Sequence, residues 1–324
     1  MRVLIDTSYA LRGPSGTTTY ILEFTAALRR QGVDIIEAAN ERRRPPAGGG
    51  AGSVRNLLAD RRWVQRGLPQ FAADTGADLV HHPLPAIARQ PPCPQVVTVH
   101  DLAFETHPEH FDRRFARWAR RAHRRAAEEA AVVICVSQTT ANDVMKHWGI
   151  RERKIVVAHH GPGQELPAVA ASEPRHVLYV GDDEPRKNLA LLRAARLPLP
   201  LVHVGTGGEP ADPPTLARLY AQALALVHPS VHEGFGLTPL EAMAAGVPVV
   251  AVRNPAVAEV CADAAIYVDA VDPGGLEREV ARLHAEPAHR AAVVARGRER
   301  AAGFSWAASA RAHVEAYERA LGSR

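Results

Sequence analysis

Apolar residues gather in short runs along the whole chain, at residues 3–5, 33–36, 78–81, 96–99, 134–136 and 155–157, then at 177–180, 201–204, 224–227, 247–252 and 264–268. Runs this short, bounded by Gly, Pro or polar residues, predict buried strands. Between them lie longer segments with apolar positions at helical spacing, among them 17–30, 57–73, 111–133, 137–147, 188–196, 215–222, 276–285 and 289–302. Strand alternating with helix predicts doubly wound α/β domains with parallel sheets. The stretch 159–175, with Gly161, Pro162, Gly163, Pro167 and Pro174, reads as the link between two such domains. Residues 41–53, ERRRPPAGGGAGS, read as a mobile low-complexity loop with Arg42–Arg44 solvated. A last helix, capped by Ser305, aligns Trp306, Ala310, Val314, Tyr317 and Leu321 on one stripe.

Composition adds limits rather than chemistry. A chain of 324 residues fits two domains, each of roughly 100–200 residues. The hydrophobic share of 46% and charged share of 23% are those of an ordinary globular protein. No apolar run approaches the ~20 residues of a membrane span, and an opening directly on strand-like Val3, Leu4 and Ile5 leads us to expect no signal peptide. Cys93, Cys135 and Cys261 are scattered, which suggests reduced thiols and a cytoplasmic protein. A net charge of +4, from 39 basic and 35 acidic residues, is too small to argue for nucleic acid.

One helix stands apart. Within 111–133, Phe111, Phe115, Trp118 and Ala122 form a stripe, and Arg113, Arg114, Arg117, Arg120, Arg121, Arg124 and Arg125 fill much of the rest. Such a helix can rest on the anionic inner face of a cell membrane. The other reading is a core-packed helix with a solvated basic face.

The stretch from His228 to Gly246, HPSVHEGFGLTPLEAMAAG, concentrates the candidate chemistry. It reads as strand, loop and short helix, with Thr238 as N-cap, Pro239 at the first helical position and Gly246 at the end. Glu233 and Glu241 lie eight residues apart. The N–H groups of Phe235, Gly236, Leu237 and Thr238 fall between them, where a loop after a parallel strand meets a helix N-terminus. A polyhydroxyl group with a phosphate would suit both features. The alternative is a capping box, Thr238 paired with Glu241.

Three further features bear on this stretch. In GDDEPRKN, Arg186 and Lys187 precede a helix and oppose its dipole unless an anion offsets them. In RGPSGTTTY, Gly13 and Gly16 either hold a phosphate at a helix start or simply turn the chain. His100 ends a strand and either faces a ligand or is a structural histidine. Asp182–Asp183 is not a metal-ligand pattern, and no other metal cluster stands out.

In order, VVTVHDL, ICVSQTTANDV, YVGDDEPRKNL, HPSVHEGFGLTPLEAMAAGVPVVA and FSWAASARAHVEAYERAL resemble the family 4 retaining glycosyltransferases of the GT-B fold, with a lean toward their bacterial mannosyltransferase-type members. The resemblance implies two Rossmann-like domains facing a central cleft. An acceptor-side domain would span 1–163, completed by a C-terminal helix at 306–324 that crosses back to it, and a nucleotide-sugar domain would span 164–305. It implies a hexosyltransferase that moves sugar from a GDP- or UDP-linked donor to a hydroxyl of a glycan, lipid-linked or small-molecule acceptor, without metal or other cofactor. Glu233 and His100 would be catalytic. Arg186, Lys187, Glu241, Phe235, Gly236, Leu237, Thr238 and Gly16 would bind the donor, with Glu241 on the ribose.

Two departures stand out. Only GTGGEPADPP separates residue 204 from the helix at 215, where the family has an extra helix and strand that cradle the base. HHGPGQ replaces the usual N-G-hydrophobic-D turn. The first departure keeps a non-catalytic nucleotide-binding partner in view, beside a nucleotide-sugar epimerase of the same fold.

Overall fold

A computed structural model describes residues 1–42, 51–170 and 172–322. The chain divides into two compact units, residues 1–160 with the helix Trp306–Gly322, and residues 161–305.

In the first unit, strands β1 (Arg2–Asp6), β2 (Asp34–Ala38), β3 (Leu79–His82), β4 (Gln95–Val99), β5 (Val132–Cys135) and β6 (Ile155–Val157) form a parallel sheet ordered β2-β1-β3-β4-β5-β6. In the second, β7 (His176–Val180), β8 (Leu201–Val204), β9 (Ala223–His228), β10 (Val249–Val252) and β11 (Ile266–Val268) are ordered β11-β10-β9-β7-β8, again parallel. Parallel neighbours need helical crossovers that cover both faces of a sheet. Accordingly β3, β4, β5 and β10 are buried at every position, and their sequences are continuous rather than alternating.

The join between the units falls at 160/161, slightly before the expected 163/164. Gly163 explains the shift: a Cβ there would lie 1.7 Å from Glu241 Oε2, so this turn is fitted to the second unit.

The C-terminal helix packs on Gly16–Arg30 and the first sheet through a polar seam rather than the apolar stripe alone. Tyr20 Oη lies 2.7 Å from His313 Nε2 and 2.9 Å from Thr98 Oγ1. His81 bridges Thr98 Oγ1 and Tyr317 Oη, each at 2.8 Å. Val314 and Leu321 are only partly buried.

Helix Arg113–Glu129 starts at Asp112, whose Oδ1 accepts the N–H groups of Arg114 and Phe115. Its buried face is alanine, at Ala116, Ala119, Ala126 and Ala127. Of the aromatic stripe, Phe115 and Trp118 are 45% and 49% exposed, whereas Phe111 packs against the core of the first unit. Residues 51–53 belong to helix Ala51–Arg62 rather than to a loop, whereas 43–50, with Arg43 and Arg44, lie outside the described residues. Among the described residues no helix is long and apolar enough to cross a membrane.

Candidate functional site

β9 delivers His228 to its carboxyl end, and the following loop turns back to present Glu233. That loop is stitched to the one after β7. Val231 N–H donates to Arg186 O at 3.0 Å, Ser230 Oγ donates to His232 O at 3.0 Å, and Asn254 Nδ2 holds Ser230 O at 2.9 Å. Arg186 and Lys187 occupy a 3-10 turn, Pro185–Lys187, followed by Asn188 at φ +52° and a short helix, Leu189–Ala194.

The two basic residues therefore do not sit inside a helix's first turn. Lys187 Nζ is 2.7 Å from Glu233 Oε1, His228 Nε2 is 3.1 Å from the same oxygen, and Arg186 Nη1 is 3.8 Å from Oε2. Burial pushes the Glu233 carboxyl up, but Lys187, His228 and Arg186 outweigh it and hold the group well below the usual carboxylate range. The result is an ionised, nearly buried carboxylate ringed by cationic and hydrogen-bonding groups.

Helix Leu237–Ala244 begins two residues earlier than expected. Gly236, at φ +110°, takes the N-cap position, where no side chain caps the helix. Only glycine adopts that backbone without cost. Thr238 is thus inside the first turn, Pro239 follows it, and the Thr238–Glu241 capping box does not form. Leu237 and Thr238 supply N–H groups that a helix leaves without internal partners. Gly246, at φ +79°, follows the C-cap Ala245 and ends the helix as expected.

Glu241 turns instead toward the segment after the first unit, where its Oε2 accepts the Gln164 N–H at 3.2 Å. Burial pushes its carboxyl up to about 6, against the pull of the Tyr220 hydroxyl and the Gln164 N–H. It lines a groove of about 850 Å³ beside Pro162, Gln164, Tyr220 and Arg298.

Gly16 and His100 belong to the first unit. Gly16 opens helix Gly16–Arg30, whose N-cap Ser15 accepts the Thr18 N–H at 3.1 Å. His100 is held by its Nε2 at 2.9 Å from Pro83 O and packs edge-on to Tyr20 at 4.9 Å. Burial lowers its basicity, while the Pro83 carbonyl and Asp101 raise it. Pro83 O can only accept, so Nε2 of the neutral imidazole carries the hydrogen and Nδ1 is left as a hydrogen-bond acceptor.

The sequence reading passed over His228, Tyr220 and Gln164, which only the fold brings to the two glutamates. It also passed over His107, Glu109 and His110, whose ligand atoms lie within 4.8 Å of one another.

Residues 14–162 match the family described as Glycosyltransferase Family 4, and residues 203–300 match Glycosyl transferases group 1. O-antigen chain mannosyltransferase B of Escherichia coli is 27% identical over 265 residues, covering 69% of this chain and 70% of that protein. The chain spans 64% or less of the length of the curated relatives matched next. Among solved structures, sucrose-phosphate synthase from Thermosynechococcus elongatus aligns over 100% of both chains with a TM-score of 0.77 at 18% identity. HepE from Anabaena, in complex with UDP and glucose, covers 98% of this chain and 99% of its own at TM-score 0.68 and 16% identity. With two parallel-sheet α/β units of the GT-B kind and both sequence halves matched, the chain belongs to the family 4 glycosyltransferases.

Proposed function

We propose that the protein is a retaining hexosyltransferase that takes sugar from a nucleotide diphosphate donor and passes it to an acceptor hydroxyl. The observation that carries this reading is Glu233, kept ionised and nearly buried by Lys187, His228 and Arg186 at the end of β9. A donor diphosphate would compete for Arg186 and Lys187, which together with the N–H groups of Leu237 and Thr238 balance charge on a departing diphosphate. Glu233, released from Lys187, then faces the sugar and supports an oxocarbenium-like transition state. The acceptor hydroxyl attacks the anomeric carbon as its bond to the diphosphate oxygen breaks, and the hydroxyl proton passes to that leaving oxygen. His100 acts on the sugar's reacting side as a neutral imidazole, Gly16 lies near the diphosphate, and Phe235 and Gly236 bind through backbone N–H groups. No metal is needed in this scheme.

Glu241, partly neutral near pH 6, exchanges Gln164 for the ribose hydroxyls. UDP in HepE and mannosyl transfer by the E. coli relative support a UDP- or GDP-linked hexose. The shortened turn between β8 and helix Pro213–Ala221 leaves base selection to residues elsewhere in the second unit. Helix Arg113–Glu129, with Phe115 and Trp118 outward among arginines, supports contact with an anionic membrane that carries a lipid-linked acceptor.

The test is donor hydrolysis and transfer over a panel of UDP- and GDP-hexoses, with thermal-shift titration of the bare nucleotides. Turnover of one donor with retained anomeric configuration is expected. A protein stabilised by no nucleotide and turning over no donor would refute the reading.

A further inference from the structure

The chain carries a cluster of metal-ligating side chains well away in sequence from the glutamates of the second unit. After β4 the chain makes the short helix Ala103–Thr106 and then the 3-10 turn Pro108–His110. The His110 N–H donates to His107 O at 3.1 Å. In a 3-10 turn, residues three apart lie over one another. That spacing sets the His107 and His110 rings 5.9 Å apart, inclined by 31°.

Glu109 reaches between them. His107 Nδ1 is 3.2 Å from Glu109 Oε1, and His110 Nε2 is 3.8 Å from the same oxygen. Tetrahedral ligands bound at the usual zinc distances lie roughly 3.3–3.5 Å apart. The observed separations bracket that range, and all three ligand atoms fall within 4.8 Å of one another. Closing the triangle onto a cation would draw His110 Nε2 toward Glu109 Oε1 from the observed 3.8 Å. The side chains are 33%, 62% and 23% exposed, which gives a metal an entry path and leaves a fourth position for water.

We propose that His107, Glu109 and His110 form a binding site for a borderline-soft divalent cation of the zinc class. Two imidazole nitrogens and one carboxylate suit Zn²⁺, Co²⁺ or Ni²⁺, and do not suit Mg²⁺ or Ca²⁺, which prefer all-oxygen shells. The site lies at the corner between β4 and helix Arg113–Glu129, two residues before the helix cap Asp112. A bound ion would cross-link three side chains of that turn and stiffen the corner that leads into the basic helix. The inference does not draw on the proposed activity, and its test reads metal binding alone.

The test uses the full chain, made without a polyhistidine tag and stripped with chelator, then titrated with Co²⁺ as an optical probe. One equivalent should bind with micromolar affinity, give the intense visible absorption of a four-coordinate ion, and be displaced by Zn²⁺ but not by Mg²⁺. His107→Ala with His110→Ala should abolish the signal, Glu109→Gln should weaken it at least tenfold, and Zn²⁺ should raise the melting temperature of the wild type alone. If the double variant does not fold, Glu109→Gln still discriminates, because Glu109 is exposed. Wild-type Co²⁺ binding in a folded variant, or no saturable binding to the wild type, would overturn the proposal.

Discussion

Lys187 Nζ and Glu233 Oε1 meet at 2.7 Å, joining the loops that follow β7 and β9. Both side chains are largely buried, so their interaction is weakly screened. Breaking such a pair from one side costs about 3–5 kcal/mol when the remaining charge has no other partner. Here Arg186 and His228 also face Glu233, so Lys187→Ala should fall at or below the lower end of that range in urea unfolding. Glu233→Gln should leave the fold intact yet lower donor turnover by about 100-fold or more. Near-wild-type turnover in either variant would remove Glu233 and Lys187 from the proposed mechanism.

The same pair gives an acid signature. Glu233 is held below its ordinary value of 4.5 in the folded protein. Its contribution is therefore complete above that value and is lost as pH falls toward the folded one. Glu233→Gln should flatten the acid limb of the stability profile below 4.5; unchanged curvature there would mean the carboxylate is not stabilised as described.

Glu241 behaves in the opposite sense. Its carboxyl, only 8% exposed, is pushed up from 4.5 to about 6, so the folded protein binds this proton more tightly than the unfolded chain does. That contribution is complete below 4.5 and disappears as pH rises through about 6, amounting to about 2 kcal/mol. Glu241→Gln should remove the decline, which urea titrations across this window would register as diverging curves. Parallel curves would sink the assignment. Gly163→Ala tests the neighbouring turn: at φ +61° its new Cβ would meet Glu241 Oε2. Backbone strain alone costs about 1–2 kcal/mol, and the contact adds to it.

How much of this was legible beforehand depends on the range of the interactions. Continuous apolar runs announced β5 and β10 because strands buried on both faces leave no alternation to misread. The spacing of Glu233 and Glu241 is local, and so was visible. Their partners are not local: Lys187 lies 46 positions from Glu233, and Gln164 lies 77 from Glu241. The capping-box reading failed for a related reason. Gly236 can take a backbone closed to other residues, which moves the helix start ahead of Thr238 and frees Glu241 to reach a distant segment. On helix Arg113–Glu129 the aromatic stripe suggested a core face, but the tight packing is made by alanines.

That exposed aromatic face makes its own prediction. Phe115 and Trp118 contact each other with ring centroids 5.9 Å apart, among outward arginines. The protein should sediment with vesicles containing anionic phosphatidylglycerol, less so as salt is raised, with a blue shift of Trp118 emission. Phe115→Ala with Trp118→Ala should reduce binding several-fold while shifting the melting temperature little, since both side chains are about half exposed. Equal binding to neutral and anionic vesicles would argue for a merely solvated face.

The seam under the C-terminal helix yields a last prediction, because its hydrogen bonds admit a single consistent direction. His313 Nδ1 lies 2.7 Å from Ser309 O, which can only accept, so that nitrogen carries the proton. Nε2 of a neutral His313 must then accept from Tyr20 Oη, Tyr20 must accept from Thr98, and Thr98 must accept from His81 Nε2. His81 Nδ1 is left to accept from Tyr317 Oη. The order holds only while both histidines are neutral. Burial lowers both, His313 to about 4, so the unfolded chain takes up protons first as pH drops below 6.5. Stability from this seam is complete above 6.5 and is lost as pH falls toward 4. Thr98→Val keeps the shape but removes the relay at its centre, leaving Tyr20 and His81 each short of a partner, and should cost about 1–3 kcal/mol at neutral pH. Calorimetry of the two proteins over this range would check both effects; a Thr98→Val protein as stable as wild type would show that the seam is held by packing alone.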